Sequence, residues 1–215
     1  MPVEWPPSGV DWYYADDWIA IAHGDCRDAL PKLTKVDLVL TDPPYGLGSR
    51  WQGGTWGTNK KYLDARRWDV APDAETIAAI LQAGEQCVIW GGNHFRLPPT
   101  RGLLAWFKTN ALHTMADFEV AWTSTDRPAK AWHGNNNRTD DDHATSKPLN
   151  LMLGWISFYP DARLILDPFM GSGTTLRAAK DLSRRAIGIE IEEKYCAIAA
   201  RRLEQEVMDF SPVGV

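Results

Sequence analysis

The sequence predicts an α/β fold, with a mostly parallel sheet covered by helices on both faces. Apolar runs of buried-strand length alternate with segments of helical pattern along most of the chain. Such alternation is what parallel strands joined by crossover helices require. A length of 215 residues, 44% hydrophobic and 24% charged, is that of one globular domain with a sizeable core.

In chain order, residues 18–22 read as a strand, as do residues 36–40 (VDLVL) and 87–90 (CVIW), with a helix at residues 74–83 between the last two. Residues 103–107 and 118–122 are strand candidates close enough in sequence to form an antiparallel pair at a sheet edge. Beyond them residues 149–158 read as a helix, 163–166 (RLIL) as a strand, 174–182 as a helix, 186–189 as a strand and 192–206 as a long helix with Tyr195, Ile198, Ala199 and Leu203 on one side. The Pro-rich start, Gly53-Gly54, Asn135 to Asn137 and Asp140 to Asp142 read as loops.

Composition narrows the function. No apolar run approaches the ~18 residues of a membrane span, and Glu4, Pro6 and Pro7 are foreign to a signal peptide, so a soluble, cytoplasmic protein is expected. Cys26, Cys87 and Cys196 are scattered and form no CxxC pair, which argues against a disulfide framework or a zinc site. His94, His113 and His133 show no ligand spacing and read as packing or phosphate contacts, so no metal is expected.

Ligands of open α/β sheets bind beyond the carboxyl ends of the strands, which is where chemistry is to be sought. The strand RLIL runs into Asp167-Pro168-Phe169-Met170-Gly171-Ser172-Gly173-Thr174-Thr175 and then a helix. Gly171 and Gly173 let a ligand lie against the backbone, and the helix N-terminus offers free N–H groups. Glu190 ends the next strand, 23 residues after Asp167, near the spacing of a ribose-binding acid. A nucleoside-containing ligand fits this pattern; a Gly-rich turn without a ligand is the alternative. Leu176 stands where a dinucleotide fingerprint needs its third glycine, and no Lys precedes the threonines as a P-loop demands. The strand VDLVL ends in Thr41-Asp42-Pro43-Pro44-Tyr45-Gly46. The prolines leave carbonyls without local partners, next to a carboxylate and a ring, an arrangement suited to an amino group on a planar base, or else simply a rigid turn.

Together TDPPYG and DPFMGSGTT resemble the catalytic and cofactor motifs of amino-directed DNA methyltransferases that use S-adenosylmethionine. His143-Ala144-Thr145-Ser146-Lys147-Pro148-Leu149 is similar to the family's HPTxKP segment, with Ala144 in place of Pro and Ser146 in place of Gln. Trp90 to Asn93, Trp106 to Asn110, Phe118 to Trp122 and Arg185 to Glu190 also resemble family blocks. The catalytic motif precedes the cofactor motif, the order of the beta class. The opposite order in glutamine and ribosomal-protein methyltransferases argues against those.

The resemblance implies a Rossmann-like methyltransferase fold, seven-stranded with an antiparallel edge hairpin and circularly permuted, so that the long C-terminal helix leads back to the first strand. It implies methyl transfer to the N6 amine of an adenine flipped out of double-stranded DNA. Asp42 and the Pro43 carbonyl would accept the amine hydrogens while Pro44 stiffens the turn and Tyr45 stacks on the base. Phe169, Gly171 and Gly173, with Ser172, Thr174 and Thr175 of the same motif, would wrap the methionine part of the cofactor. Lys147 would pair with its carboxylate, Glu190 hold the ribose, Asp25 and Cys26 reach the adenine, and Asp167 orient the turn or the methionine amine. Cytosine N4 is the rival target, disfavoured by Asp42 where cytosine enzymes usually carry Ser; a catalytically silent cofactor or DNA-binding module and an RNA substrate are further alternatives. Attack through cytosine carbon would need a thiolate, and no cysteine follows a proline.

A net charge of −5 sits oddly with DNA, but the distribution is uneven. Residues 47–68 hold Arg50, Lys60, Lys61, Arg66 and Arg67 against Asp64 alone, and residues 127–138 hold Arg127, Lys130 and Arg138 against no acid. Both are expected on the catalytic side of the sheet, in a single catalytic domain. The first segment is read as a phosphate-contacting insert. The second lies within a reduced target-recognition insert at residues 123–142, where Arg127, Lys130, Asn135, Asn136, Asn137 and Arg138 approach base edges. A homodimer is expected, because beta-class relatives commonly pair and because 11 tryptophans exceed what one core of this size needs.

Overall fold

Strand β3 (Val36–Thr41) lies at the middle of the sheet, buried on both faces, because its apolar run leaves no side for water. The computed structural model describes residues 4–47, 69–111, 116–135 and 147–204. Within them the strands are β1 (Tyr14–Ala15), β2 (Ile19–His23), β3, β4 (Gly84–Trp90), β5 (Leu103–Lys108), β6 (Phe118–Thr123), β7 (Lys130–Gly134), β8 (Leu164–Asp167) and β9 (Arg185–Glu190). The helices are α1 (Cys26–Ala29), α2 (Ala74–Ala83), α3 (Leu149–Ser157), α4 (Thr174–Asp181) and α5 (Glu193–Glu204).

One sheet holds the nine described strands in the order β1-β2-β9-β8-β3-β4-β6-β5-β7. The five from β2 to β4 are parallel; β6 pairs antiparallel with both β4 and β5, as the expected edge hairpin does. Side chains alternate between two cores. Ile19, Ile21, Val88 and Trp90 face α3, α4 and α5, whereas Ala20, Ala22, Cys87 and Ile89 face α1 and α2. The charged residue inside β3 is there for structure, since Asp37 Oδ2 accepts the N–H groups of Arg163 and Leu164, at 2.7 and 2.8 Å, where β8 begins.

From β3 the chain crosses through α2 to β4 on one side, and from β8 it crosses through α4 to β9 on the other, with α2 and α4 on opposite faces. The gap between the carboxyl ends of β3 and β8 is therefore the topological switch point of the sheet, where ligands bind in such folds. At the other end of the chain Lys180 Nζ donates to Asp16 and to the Leu203 carbonyl, both at 2.7 Å. The lead into β2 thus lies beside the last turn of α5.

Seven strands are expected and nine stand among the described residues, the additions being β1 and β7 at the two edges. β7 changes the reading of residues 123–142, because KAWHG is a strand that pairs parallel to β5 and not a projecting loop. Its direction puts Lys130 at the amino end, remote from the switch point, and Arg127 precedes it there. The Arg127 guanidinium lies over the Tyr159 ring at 4.7 Å and donates to the Phe158 carbonyl. Neither residue stands on the catalytic side, so their assignment to base edges is corrected; Asn135, just past the carboxyl end of β7, is on that side. The tryptophan count also loses force as a sign of a homodimer, since Trp90, Trp106 and Trp155 are fully buried in the chain's own core. No helix among the described residues is long and apolar enough to cross a membrane, and those residues contain no cluster of ligating side chains able to hold a metal.

Candidate active site

The strand ends form a row across the sheet: Asp25 after β2, Glu190 at the end of β9, Asp167 to Gly173 after β8, Asp42 to Tyr45 after β3, and Gly91 to His94 after β4. Sequence positions far apart are thereby brought to one edge.

The glycine turn is built around Asp167. Its buried Oδ1 accepts Thr41 Oγ1 at 2.8 Å and the Phe169 N–H at 3.1 Å, tying the end of β3 to the turn after β8. Burial pushes this carboxyl up to about 6, against the hydrogen bonds from Thr175 and Thr41 that favour its ionised form. Ser172, Thr174 and Thr175 are buried as well, and Arg202 Nη1 donates to the Ser172 carbonyl at 2.8 Å. They build the turn. Gly173 has φ of +81°, and a Cβ there would stand 2.9 Å from that of Ala199, so only glycine admits both the left-handed backbone and the close approach of α5. Glu190 accepts the Gly171 N–H at 3.0 Å through one oxygen and the Glu192 N–H at 2.8 Å through the other, leaving its remaining lone pairs for a ligand. Burial raises its pKa.

Asp25 caps α1 through the Arg27 N–H at 2.9 Å and is bridged by the Arg27 guanidinium at 2.5 Å, which holds its carboxyl below the usual range. Cys26 is buried beneath it, and burial pushes the thiol up to about 11, so it packs and does not react.

After β3, Pro43 is buried and the motif's last residue is pinned by the Gly46 N–H donating to Asp69 at 2.9 Å. The Tyr45 hydroxyl donates to Asp42 Oδ1 at 2.6 Å. The Tyr45 ring lies against Gly91, where a Cβ would come within 2.2 Å of it, and stacks with the exposed His94 ring at 4.8 Å, 13° from parallel. Lys147 occupies an unexpected place: its buried Nζ contacts Asp42 Oδ2 and lies 3.2 Å from Glu119 Oε2. Glu119 is held on its other oxygen by Lys108 at 2.5 Å. Burial and the Glu119 charge push Asp42 up against the opposing pull of Lys147. Burial also penalises the Glu119 carboxylate, but Lys147 and Lys108 outweigh it and hold the group down at about 2.

In the sequence Glu119 and Lys108 fall within recognisable blocks but carry no role of their own, and His94 reads as packing or a phosphate contact. A charged residue in each of two apolar strands, LLAWFK and FEVAWT, was the available signal. Arg50, Lys60, Lys61, Arg66, Arg67, His113, Asn136, Asn137 and Arg138 lie outside the described residues.

A row of acceptors beside a glycine turn, next to an acid and an aromatic ring on a Pro-Pro turn, thus stands at the switch point of the sheet. Comparison with known proteins gives the family. A family model described as DNA methylase matches residues 105–201. Type II methyltransferase M.HpaI of Haemophilus parainfluenzae is 33% identical over 87% of this chain and 76% of its own length. The putative methylase YubD of Escherichia coli is 29% identical over 84% and 88% respectively. A shorter stretch is 42% identical to M2.DpnII of Streptococcus pneumoniae, spanning 40% of this chain and 30% of that protein. Among solved structures, the complex of M1.HpyAVI with SAM superposes with a TM-score of 0.57 at 26% identity, covering 86% of this chain and 99% of that one. The cytosine-N4-specific PvuII DNA methyltransferase shares the fold, with a TM-score of 0.64 at 19% identity over 94% and 92%. The chain belongs to the N6/N4 DNA methylase family.

Proposed function

We propose that the protein transfers a methyl group from S-adenosylmethionine to the N6 amine of an adenine flipped out of duplex DNA. The observation that carries this is the joining of the Asp42-Pro43-Pro44-Tyr45 turn to the glycine turn across the switch point, through the Thr41 to Asp167 hydrogen bond of 2.8 Å. It supports the reading because it holds Asp42 and Tyr45 beside the glycine turn.

The donor set fits the cofactor. Asp25 and Glu190 offer carboxylates to the donors of an adenosine, Glu190 to the ribose hydroxyls, while Phe169, Gly171 and Gly173 face the methionine part. The bound cofactor supplies an already activated methyl group. What the chain supplies is position and charge. An exocyclic amine is a poor nucleophile because its lone pair is delocalised, and acceptors at both N–H bonds, Asp42 and the Pro43 carbonyl, draw it towards tetrahedral geometry and stabilise the positive charge of attack. Tyr45 gives the extruded base a face to stack on. By their charge and chemistry Arg50, Lys60, Lys61, Arg66 and Arg67 would serve phosphates, and Asn135, Asn136, Asn137 and Arg138 would serve base edges.

Methylated DNA digested to nucleosides is expected to contain N6-methyladenine; N4-methylcytosine would move the target to the rival amine, and no product would refute transfer to DNA. Asp42→Ala should abolish transfer in a single turnover and leave cofactor affinity nearly intact.

A further inference from the structure

Asp42 is not a free acceptor. Its Oδ1 takes the Tyr45 hydroxyl and its Oδ2 takes the Lys147 ammonium. Each oxygen keeps a second lone pair, but a cation in contact with Asp42 opposes the positive charge that an amine gains as it is methylated. For Asp42 to serve as acceptor, Lys147 needs somewhere else to go.

The structure provides one place. Glu119 Oε2 is 3.2 Å from Lys147 Nζ, and Glu119 Oε1 is fixed by Lys108 at 2.5 Å. Lys108, Glu119, Lys147 and Asp42 thus form a line of alternating charge whose sum is zero. The lysine side chains are 7% and 6% exposed. The flanking indoles of Trp106 and Trp90 lie 5.1 and 5.3 Å from the two ammonium groups. Buried ion pairs do little for stability that apolar side chains could not do, so four charges retained at the strand ends beside Asp42 call for another reason.

We propose that Glu119 is a positioning residue for methyl transfer: it gives Lys147 a second carboxylate to withdraw to, so that Asp42 Oδ2 is released to the target amine. Lys108 keeps Glu119 ionised and in place. The inference rests on the reading of Asp42 as the acceptor of that amine.

The test uses the full chain, S-adenosylmethionine and DNA that the wild type methylates. Glu119→Gln should bind the cofactor within about twofold of wild type, which also reports that it is folded, yet slow the single-turnover rate by roughly tenfold to a hundredfold. Glu119→Asp should fall between. The groups facing Glu119 are Lys108 from β5, Lys147, Asp42 and Tyr45; because its charge raises the Asp42 pKa, its removal should move the acid limb of the rate profile to lower pH. Adding Lys108→Met to Glu119→Gln should recover none of the rate, since Lys147 still lacks a second carboxylate. A wild-type rate for Glu119→Gln overturns the proposal, as does a slow rate with an unmoved acid limb, or a rate restored in the double variant. Asp42→Ala run in parallel separates the two readings: if it stays active, the role of Asp42 fails, whereas if it is inactive and Glu119→Gln is not impaired, only the role of Glu119 fails.

Discussion

The Tyr45 hydroxyl, 2.6 Å from Asp42 Oδ1, gives that side chain a role beyond stacking. Stacking needs only the ring, so from sequence Tyr45→Phe should be mild. With the hydroxyl orienting Asp42, Tyr45→Phe should instead slow single-turnover transfer by about tenfold while DNA affinity holds, and Tyr45→Ala should lose both. Equal DNA affinity for all three proteins would remove the stacking role. Asp167 makes a second prediction at this scale. Its carboxyl is raised in the fold to about 6, so between roughly pH 4 and 6 the folded state binds more protons than the unfolded chain, and stability falls as pH rises through that window. The difference is worth about 3 kcal/mol at most. Asp167→Asn should flatten this slope in denaturant titrations across the window; an unchanged slope would place the titrating group elsewhere. Asp42, Tyr45, Glu190 and the glycines were legible in the sequence because each follows an apolar run. The partnership of Lys147 with Asp42 and Glu119 was not, since it joins residues 105 and 28 positions apart that only the sheet order brings together.

Elements were legible in proportion to their burial. β3, β4, β8 and β9 carry apolar runs because both of their faces are covered, and their boundaries came out within three residues. β7 carries no such run: Lys130 and Ala131 are exposed, and the strand exists because β5 offers it a free edge. The turn after β4 shows the same limit. Trp90-Gly91-Gly92-Asn93 is visible as a block, but the reason for its first glycine is spatial, since Gly91 adopts φ of +64° and makes room for the Tyr45 ring. Gly91→Ala should therefore leave cofactor affinity unchanged, cost about 1 kcal/mol of stability for the left-handed backbone, and slow transfer on the order of a hundredfold by displacing Tyr45. Wild-type single-turnover kinetics in this variant would show that the ring position is not critical.

At the scale of the whole molecule the question is how a chain of net charge −5 holds a polyanion. Among the described residues many cations are already committed: Arg27, Lys35, Arg101, Arg177, Lys180 and Lys194 each sit within 4.0 Å of an acid, and Arg127 lies on Tyr159 away from the catalytic side. The segment that carries Arg50, Lys60, Lys61, Arg66 and Arg67 lies in sequence between Gly46 and Asp69. Those two residues are hydrogen-bonded to each other at 2.9 Å, one position from Tyr45. Both described flanks of the segment therefore lie beside Tyr45, where, if Tyr45 stacks on the base as proposed, phosphate contacts would have most effect on capture. Each such contact contributes about 0.9 to the dependence of log affinity on log salt, independently of sequence. Lys60→Ala combined with Lys61→Ala should therefore weaken binding to all duplexes alike and reduce that slope by about 2, leaving the preferred methylation site as it was. Titrations of fluorescent duplexes at several salt concentrations measure it, and an unchanged slope would mean that the DNA backbone is met by other residues.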